Sequence, residues 1–294
     1  MTLPHPKLKS TVFNVNNRVW KPTSLNNLRA EIDHISKVGG KNNSLILYRG
    51  QRNNNWPLDS TFVRNCISTM LGIKNYTKLP SYIRKRSSFH RAITSLLLMK
   101  FDKFVAPSKE AYKKEQSDGI DPFFELFKNI QQYPEKYDES PFIKGTNFID
   151  WTNTTDIALY FATFEGKSDT RKISTGDGAI WAYDASSTGN ILKNKVGKIL
   201  DNMNTYEFLN GKKIQLPLMF HPQKQTNQHR ASNQKPVYIA QMNFSFNLSE
   251  VWEQYEKANN RKVFLKIQIH EGLKKKLANH LESKGVLEEH VYPH

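Results

Sequence analysis

The chain has 294 residues, 38% hydrophobic and 12% aromatic, enough to build a packed core and to exclude wholesale disorder. Its 43 Lys and Arg against 27 Asp and Glu leave a formal charge of +16, which fits either a polyanionic partner (RNA, DNA or an acidic protein) or a solvated basic surface. No run approaches the ~20 apolar residues of a membrane span, and the polar region Met1–Lys21 lacks a signal-peptide core, so a cytoplasmic protein with no membrane partner is expected.

Residues 1–23 read as an irregular arm and 24–294 as one elaborated domain, with a helical insertion at about 80–140 and no linker of Pro, Gly and Ser. Ser24–Val38 is predicted as a helix capped by Ser24, with Leu25, Leu28, Ile32 and Ile35 on one face. Leu45–Tyr48 reads as an apolar strand delivering Arg49-Gly50-Gln51, and Trp56, Leu58 and Ser60 as support for the loop after it. Tyr82–Phe104 is a second helical region whose Ile93, Leu96, Leu97, Met99, Phe101 and Phe104 are expected in the core. Ala106–Ser140 is charged around an apolar patch at Pro122–Phe127 and reads as helices and loops.

The middle of the chain reads as strand, turn and helix. Phe148-Ile149 ends a strand, and Asn153 is expected to cap a helix with Asp156 at its third position. Ile157, Ala158, Phe161, Ala162 and Phe164 follow at helical spacing until Glu165-Gly166. Asp150 and Thr152 then stand at a rim where side chains can reach a ligand. Gly178–Tyr183, Pro236–Phe246 and Val263–His270 are predicted strands, Pro217–Asn233 a basic loop, and Leu273–Lys284 a closing helix. Basic residues cluster at Lys78–Arg91, Lys193–Lys198, Lys212–Arg230 and Lys257–Lys276. The mixture predicts an α+β fold, a curved sheet with helices packed outside.

Tyr48-Arg49-Gly50-Gln51 with Trp56 and Leu58, Asp150-Trp151-Thr152 with Ala158-Leu159-Tyr160-Phe161-Ala162, and Ala240-Gln241 together resemble the FRG domain. The tail resembles that family's end, with Lys266-Ile267, a helix, Gly285-Val286 and Val291-Tyr292-Pro293. The chain departs from the family where a Gln-His-x-Gly segment and a Thr-Arg pair usually stand, carrying Pro141–Phe148 instead. The family's Gln-x-Gly-x-Phe becomes Gln241–Phe246 with Asn243 for Gly, and Asn tolerates a left-handed backbone.

The order of these segments also resembles the three motifs of NAD-dependent ADP-ribosyltransferases, which implies an ADP-ribosyltransferase-like fold with NAD as ADP-ribose donor. The resemblance makes Arg49, Asp150, Thr152 and Gln241 the catalytic candidates and Tyr48, Arg49, Gly50, Gln51, Trp151 and Thr152 the NAD-binding ones. Arg49 has the forked guanidinium to clamp phosphate or ribose oxygens, and Tyr48 or Trp151 has the ring to stack on nicotinamide. Thr152 could bond to nicotinamide or Arg49, and Gln241 to a ribose hydroxyl, but a neutral amide cannot be a general base, which leaves Asp150. An ion pair of Arg49 with Asp150, tying strand to turn, is the competing reading.

No metal is expected. His90, His221, His229, His270 and His280 lack ligand spacing, and a single cysteine, Cys66, can form neither an internal disulfide nor a cysteine-rich zinc site. The resemblance and the charge together imply a bacterial toxin of an anti-phage or toxin–antitoxin system that ADP-ribosylates nucleic acid, RNA and foremost mRNA, with an antitoxin protein as a further partner. The alternative is a non-catalytic module that binds a nucleotide or RNA.

Overall fold

The computed structural model of the protein describes residues 12–73, 79–105, 130–131, 144–165, 172–188, 218–220, 234–241, 243–287 and 291. The expected apolar patch at Pro122–Phe127 and the basic clusters at Lys193–Lys198 and Lys212–Arg230, apart from the segment Leu218–Phe220, lie outside these residues. Among the described residues seven strands form one sheet: β1 (Val19–Trp20), β2 (Ile46–Gln51), β3 (Phe148–Thr152), β4 (Gly178–Asp184), β5 (Leu218–Phe220), β6 (Pro236–Ala240) and β7 (Phe264–Ile269). Their order is β1-β7-β4-β2-β3-β6-β5, with β1 parallel to β7 and every other neighbouring pair antiparallel. The helices among the described residues are α1 (Leu25–Lys41), α2 (Thr61–Met70), α3 (Ser81–Arg84), α4 (Ser87–Val105), α5 (Thr155–Thr163), α6 (Leu248–Asn259) and α7 (Glu271–Ser283). The class is α+β, as the sequence predicts.

Strand alternation sends side chains to two cores. Ile46, Tyr48, Ile180, Ala182, Leu265 and Ile267 join Leu28, Ile32 and Ile35 of α1, Ile157 to Ala162 of α5, and Leu273, Leu277 and Leu281 of α7. Leu47, Ile149, Trp151, Trp181, Tyr183, Val237, Ile239 and Phe264 pack on the other face against Leu248 and Trp252 of α6. The sheet is covered on both sides, and all seven residues of β4 are buried.

Several sequence expectations change. The arm contributes β1, because Val19 and Trp20 reach the open edge of β7 opposite Lys266 and Ile267. The region Tyr82–Phe104 is two helices, and Met99 is 60% exposed while Ile93 and Leu97 are buried. The predicted strand Pro236–Phe246 stops at Ala240, where the Gln241 N–H turns to Asn147 O at 2.9 Å. Asn243 Oδ1 accepts from Ser245 N at 2.9 Å, so the side chain makes the turn. Helix α6 is an addition to the predicted elements, though its capping box of Asn247 and Glu250 is written in the sequence.

Candidate functional site

A cavity of about 180 Å³ lies where β2 and β3 part. Strand β2 pairs with β4 along its whole length, from Ile46↔Asp184 to Gln51↔Ala179. Its register with β3 is the single pair Tyr48↔Thr152, whereas β3 pairs with β6 from Phe148↔Ala240 to Thr152↔Pro236. Beyond that pair the two strands diverge. Arg49 Nη1 donates across the gap to the main-chain carbonyl of Asp150, so a side chain holds together strands that no longer share a ladder. Tyr48, Arg49, Gly50, Asp150, Trp151 and Thr152 line the cavity, as do Ile157 and Phe161 of α5 and Gln234 and Pro236.

Gly50 sets the depth of this region. A Cβ there would lie 1.9 Å from Ala158 O and 2.7 Å from Ala162 N, so the main chain of α5 rests directly on the strand. Gly178 of β4 meets the same helix, with Ala162 O 2.4 Å from a Cβ position. Two side-chain-free positions on neighbouring strands thus seat α5 and bring Ile157 and Phe161 to the cavity.

Thr152 is 5% exposed, and its Oγ1 donates to Gln234 O at 2.8 Å while accepting from Thr154 N at 3.0 Å. That hydroxyl organises the turn into α5, which displaces the expected cap: Thr154, not Asn153, is the N-cap, and Asp156 is the second helical residue. Asp150 is exposed, and its Oδ1 accepts from Gln131 Nε2 at 3.1 Å. Tyr48 borders the cavity but is 2% exposed, its hydroxyl bonded to Ser36 Oγ at 3.1 Å, and burial pushes the phenol up to about 12. Trp151 is equally buried, its ring centroid 5.4 Å from that of Trp252 in an edge contact and 6.0 Å from that of Tyr183.

Two expected site residues stand elsewhere. Gln51 is buried away from the cavity, its Oε1 accepting from Trp181 Nε1 at 2.7 Å. Gln241 is fully buried; Oε1 accepts from Ser60 N at 2.9 Å, and Nε2 donates to Asp59 Oδ1 at 2.6 Å and Phe246 O at 3.0 Å. Asp59 is also held by Arg84 through Nη1 at 2.8 Å and Nη2 at 2.5 Å. Gln241 therefore braces the loop after β2, because a buried amide and carboxylate require such partners. Phe161, Ile157, Gln234 and Pro236 are the lining residues that sequence reasoning did not select; the first two were visible as an apolar helix face, the last two only through the register of β6.

Residues 44–171 match the family model of the FRG domain. Over those residues the chain is similar to the FRG domain. The match contains the parting of β2 and β3 and ends ahead of Gln241, so the Arg49 cavity is built chiefly from residues of the matched stretch, with Gln234 and Pro236 contributed from beyond it. No curated protein and no solved structure matches the chain. Within the matched stretch, Arg49 spans the gap between the strands, and the adjacent Gly50 admits α5. Among the described residues no group of three or more His, Cys, Asp and Glu is placed to hold a metal ion, and no helix is long and apolar enough to cross a membrane.

Proposed function

We propose that the protein is an NAD-dependent ADP-ribosyltransferase acting on nucleic acid, RNA and foremost mRNA, as a cytoplasmic bacterial toxin of an anti-phage or toxin–antitoxin system with an antitoxin protein as partner. The observation that carries the reading is the Arg49 guanidinium anchored between two parted strands, in a cavity lined also by Asp150, Thr152 and the apolar Ile157 and Phe161. A cavity of about 180 Å³ is smaller than the ~300–1,000 Å³ of pockets that enclose a whole ligand. It suits the nicotinamide–ribose end of NAD and not the entire dinucleotide.

NAD would supply the ribosyl carbon and lose nicotinamide, which leaves with the electron pair of the broken bond. Arg49 would hold ribose or diphosphate oxygens by charge-assisted hydrogen bonds, and Ile157 and Phe161 would exclude water beside the flat ring. Asp150, the lone carboxylate among the described lining residues, would take the acceptor's proton as the new bond to ribose forms. The charge of +16 supports a polyanionic acceptor. A second reading, a nucleotide- or RNA-binding module without turnover, is favoured by the position of Gln241, which is committed to Asp59 and Ser60 and adds no polar group to the cavity.

The decisive experiment incubates protein with NAD labelled in its adenylate and with RNA, DNA or protein acceptors. Wild type should transfer label to RNA, and Arg49→Ala should lose at least roughly one to two factors of ten, the worth of one charge-assisted hydrogen bond of ~1.5–3 kcal/mol. Arg49→Lys should not restore it. Equal transfer by Arg49→Ala would sink the reading, and NAD binding without turnover would select the module.

A further inference from the structure

A groove of about 400 Å³, separate from the Arg49 cavity, is lined by Trp56, Thr61, Arg64, Asn65 and Ser68. We infer that it binds a segment of single-stranded nucleic acid, with a base stacked on the Trp56 indole and the neighbouring phosphates held by Arg52 and Arg64. The inference deepens the proposed function by placing the acceptor strand, and rests on that reading only for the acceptor's chemical class.

Trp56 is the first reason. Trp151, Trp181 and Trp252 are all at most 4% exposed and serve the core, but Trp56 is half-buried and forms a wall of an open groove. The Arg52 guanidinium carbon lies 5.1 Å from the centroid of this ring, a cation–π contact that holds a positive charge beside an aromatic surface. The opposite wall is the outward side of α2. That helix buries Phe62, Val63, Cys66 and Ile67 and turns Thr61, Arg64, Asn65 and Ser68 to the groove, offering a cation and three uncharged hydrogen-bonding groups.

Charge and connectivity supply the rest. Among the described lining residues there is no carboxylate, and the nearby Asp59 is buried and bound to Arg84. Asn65 Oδ1 accepts from Lys144 N at 3.3 Å, which fixes a further, exposed cationic residue beside the groove. Cations along an aromatic platform are the arrangement that binds single strands, because every base has a π-face and every nucleotide a phosphate. The groove and the Arg49 cavity also share two chain segments: Arg52 follows Arg49 after Gly50 and Gln51, and the segment from Lys144 leads through Thr146 into β3 and Asp150. Two short stretches of chain thus connect the groove to the proposed reaction site.

Fluorescence anisotropy of labelled oligouridine and oligothymidine of about 12 nucleotides, a length within single-strand site sizes, tests this without NAD. Wild type should bind single strands more tightly than the corresponding duplex, and the oligouridine and oligothymidine arms separate RNA from DNA. Trp56→Ala should weaken binding by roughly tenfold or more while Trp56→Phe retains most of it. Arg64→Ser should lower the slope of log affinity against log salt by ~0.7. In a Trp20→Phe background, emission quenched by the oligonucleotide reports Trp56, so the test survives if Trp56→Ala fails to fold. Binding with no quenching, wild-type affinity in folded Trp56→Ala, equal affinity for duplex, or retention of acidic proteins alone would each overturn the groove assignment. Failure of the transferase reading would show separately, as absent release of nicotinamide.

Discussion

Arg49 Nη1 donates to the main-chain oxygen of Asp150 across the point where β2 and β3 separate. The acceptor is a carbonyl that every residue type carries, so the bracing of the cavity does not depend on the Asp150 carboxylate. Its side chain instead meets Gln131 from an exposed position. One residue thus offers two functions that mutation can separate.

Asp150→Asn retains the carbonyl bound by Arg49 and an Oδ1 to accept from Gln131. Stability should stay within ~0.5 kcal/mol of wild type, as for a surface change that breaks no packing. ADP-ribosyl transfer should fall by ~100-fold or more, the scale of a lost general base. Melting temperature and label transfer measured on the same sample decide the point, and undiminished transfer would remove Asp150 from the chemistry.

Gly50→Ala should destabilise the protein, because the added Cβ would press on Ala158 O and Ala162 N, both main-chain atoms that cannot swing aside. The cost should reach at least the ~1–3 kcal/mol of an overpacked core. Urea unfolding would show it as a lower midpoint at unchanged slope. A neutral Gly50→Ala would mean that α5 does not rest on β2.

Gln241→Leu leaves the buried Ser60 N–H without its acceptor and takes one donor from Asp59. Each unsatisfied buried group costs about 1–3 kcal/mol. The expected phenotype is a loss of stability with transfer per folded molecule preserved, since Gln241 does not line the cavity. A stable but inactive Gln241→Leu protein would return this residue to the reaction.

Lys262 ties the arm to the domain, its Nζ donating to Val15 O and, at 2.9 Å, to Asn17 O. Burial pushes its ammonium down to about 8, although Glu256 and Glu31 favour the charged form. The folded pKa then lies below the ~10.4 of an unfolded lysine, so the unfolded chain binds the proton more tightly between those values. This contribution to stability is lowest below about pH 8 and rises with pH through the window up to ~10.4. Unfolding free energies from pH 7.5 to 10, taken as wild type minus Lys262→Met, should therefore climb; a flat difference would refute the lowered pKa.

Much of the framework was legible because it is periodic or local. The α1 pattern of Leu28, Ile32 and Ile35 and the cap Ser24, whose Oγ accepts from Asn27 N at 3.2 Å, follow from the sequence, as do strands β2, β4 and β7. The strand-turn-helix around Asp150 and Thr152 was equally visible, whereas Arg49 and Gly50, expected just past the strand Leu45–Tyr48, lie inside β2 and pair with Trp181 and Ile180. Short elements were not: β1 and β5 are two- and three-residue strands that exist only because β7 and β6 offer open edges.

The same division runs through the site. Residue types, strand ends and helix faces are properties of neighbours along the chain, and the sequence by itself determined these. Only tertiary structure decided that Gln241 faces Asp59 and Ser60, that Gln51 turns to Trp181, and that Thr152 bonds to Gln234. Each of those pairs joins residues far apart in the chain, and a polar side chain takes whichever partner the fold leaves within reach once water is excluded. No local pattern encodes that choice, because the partner is supplied by the packing of the sheet.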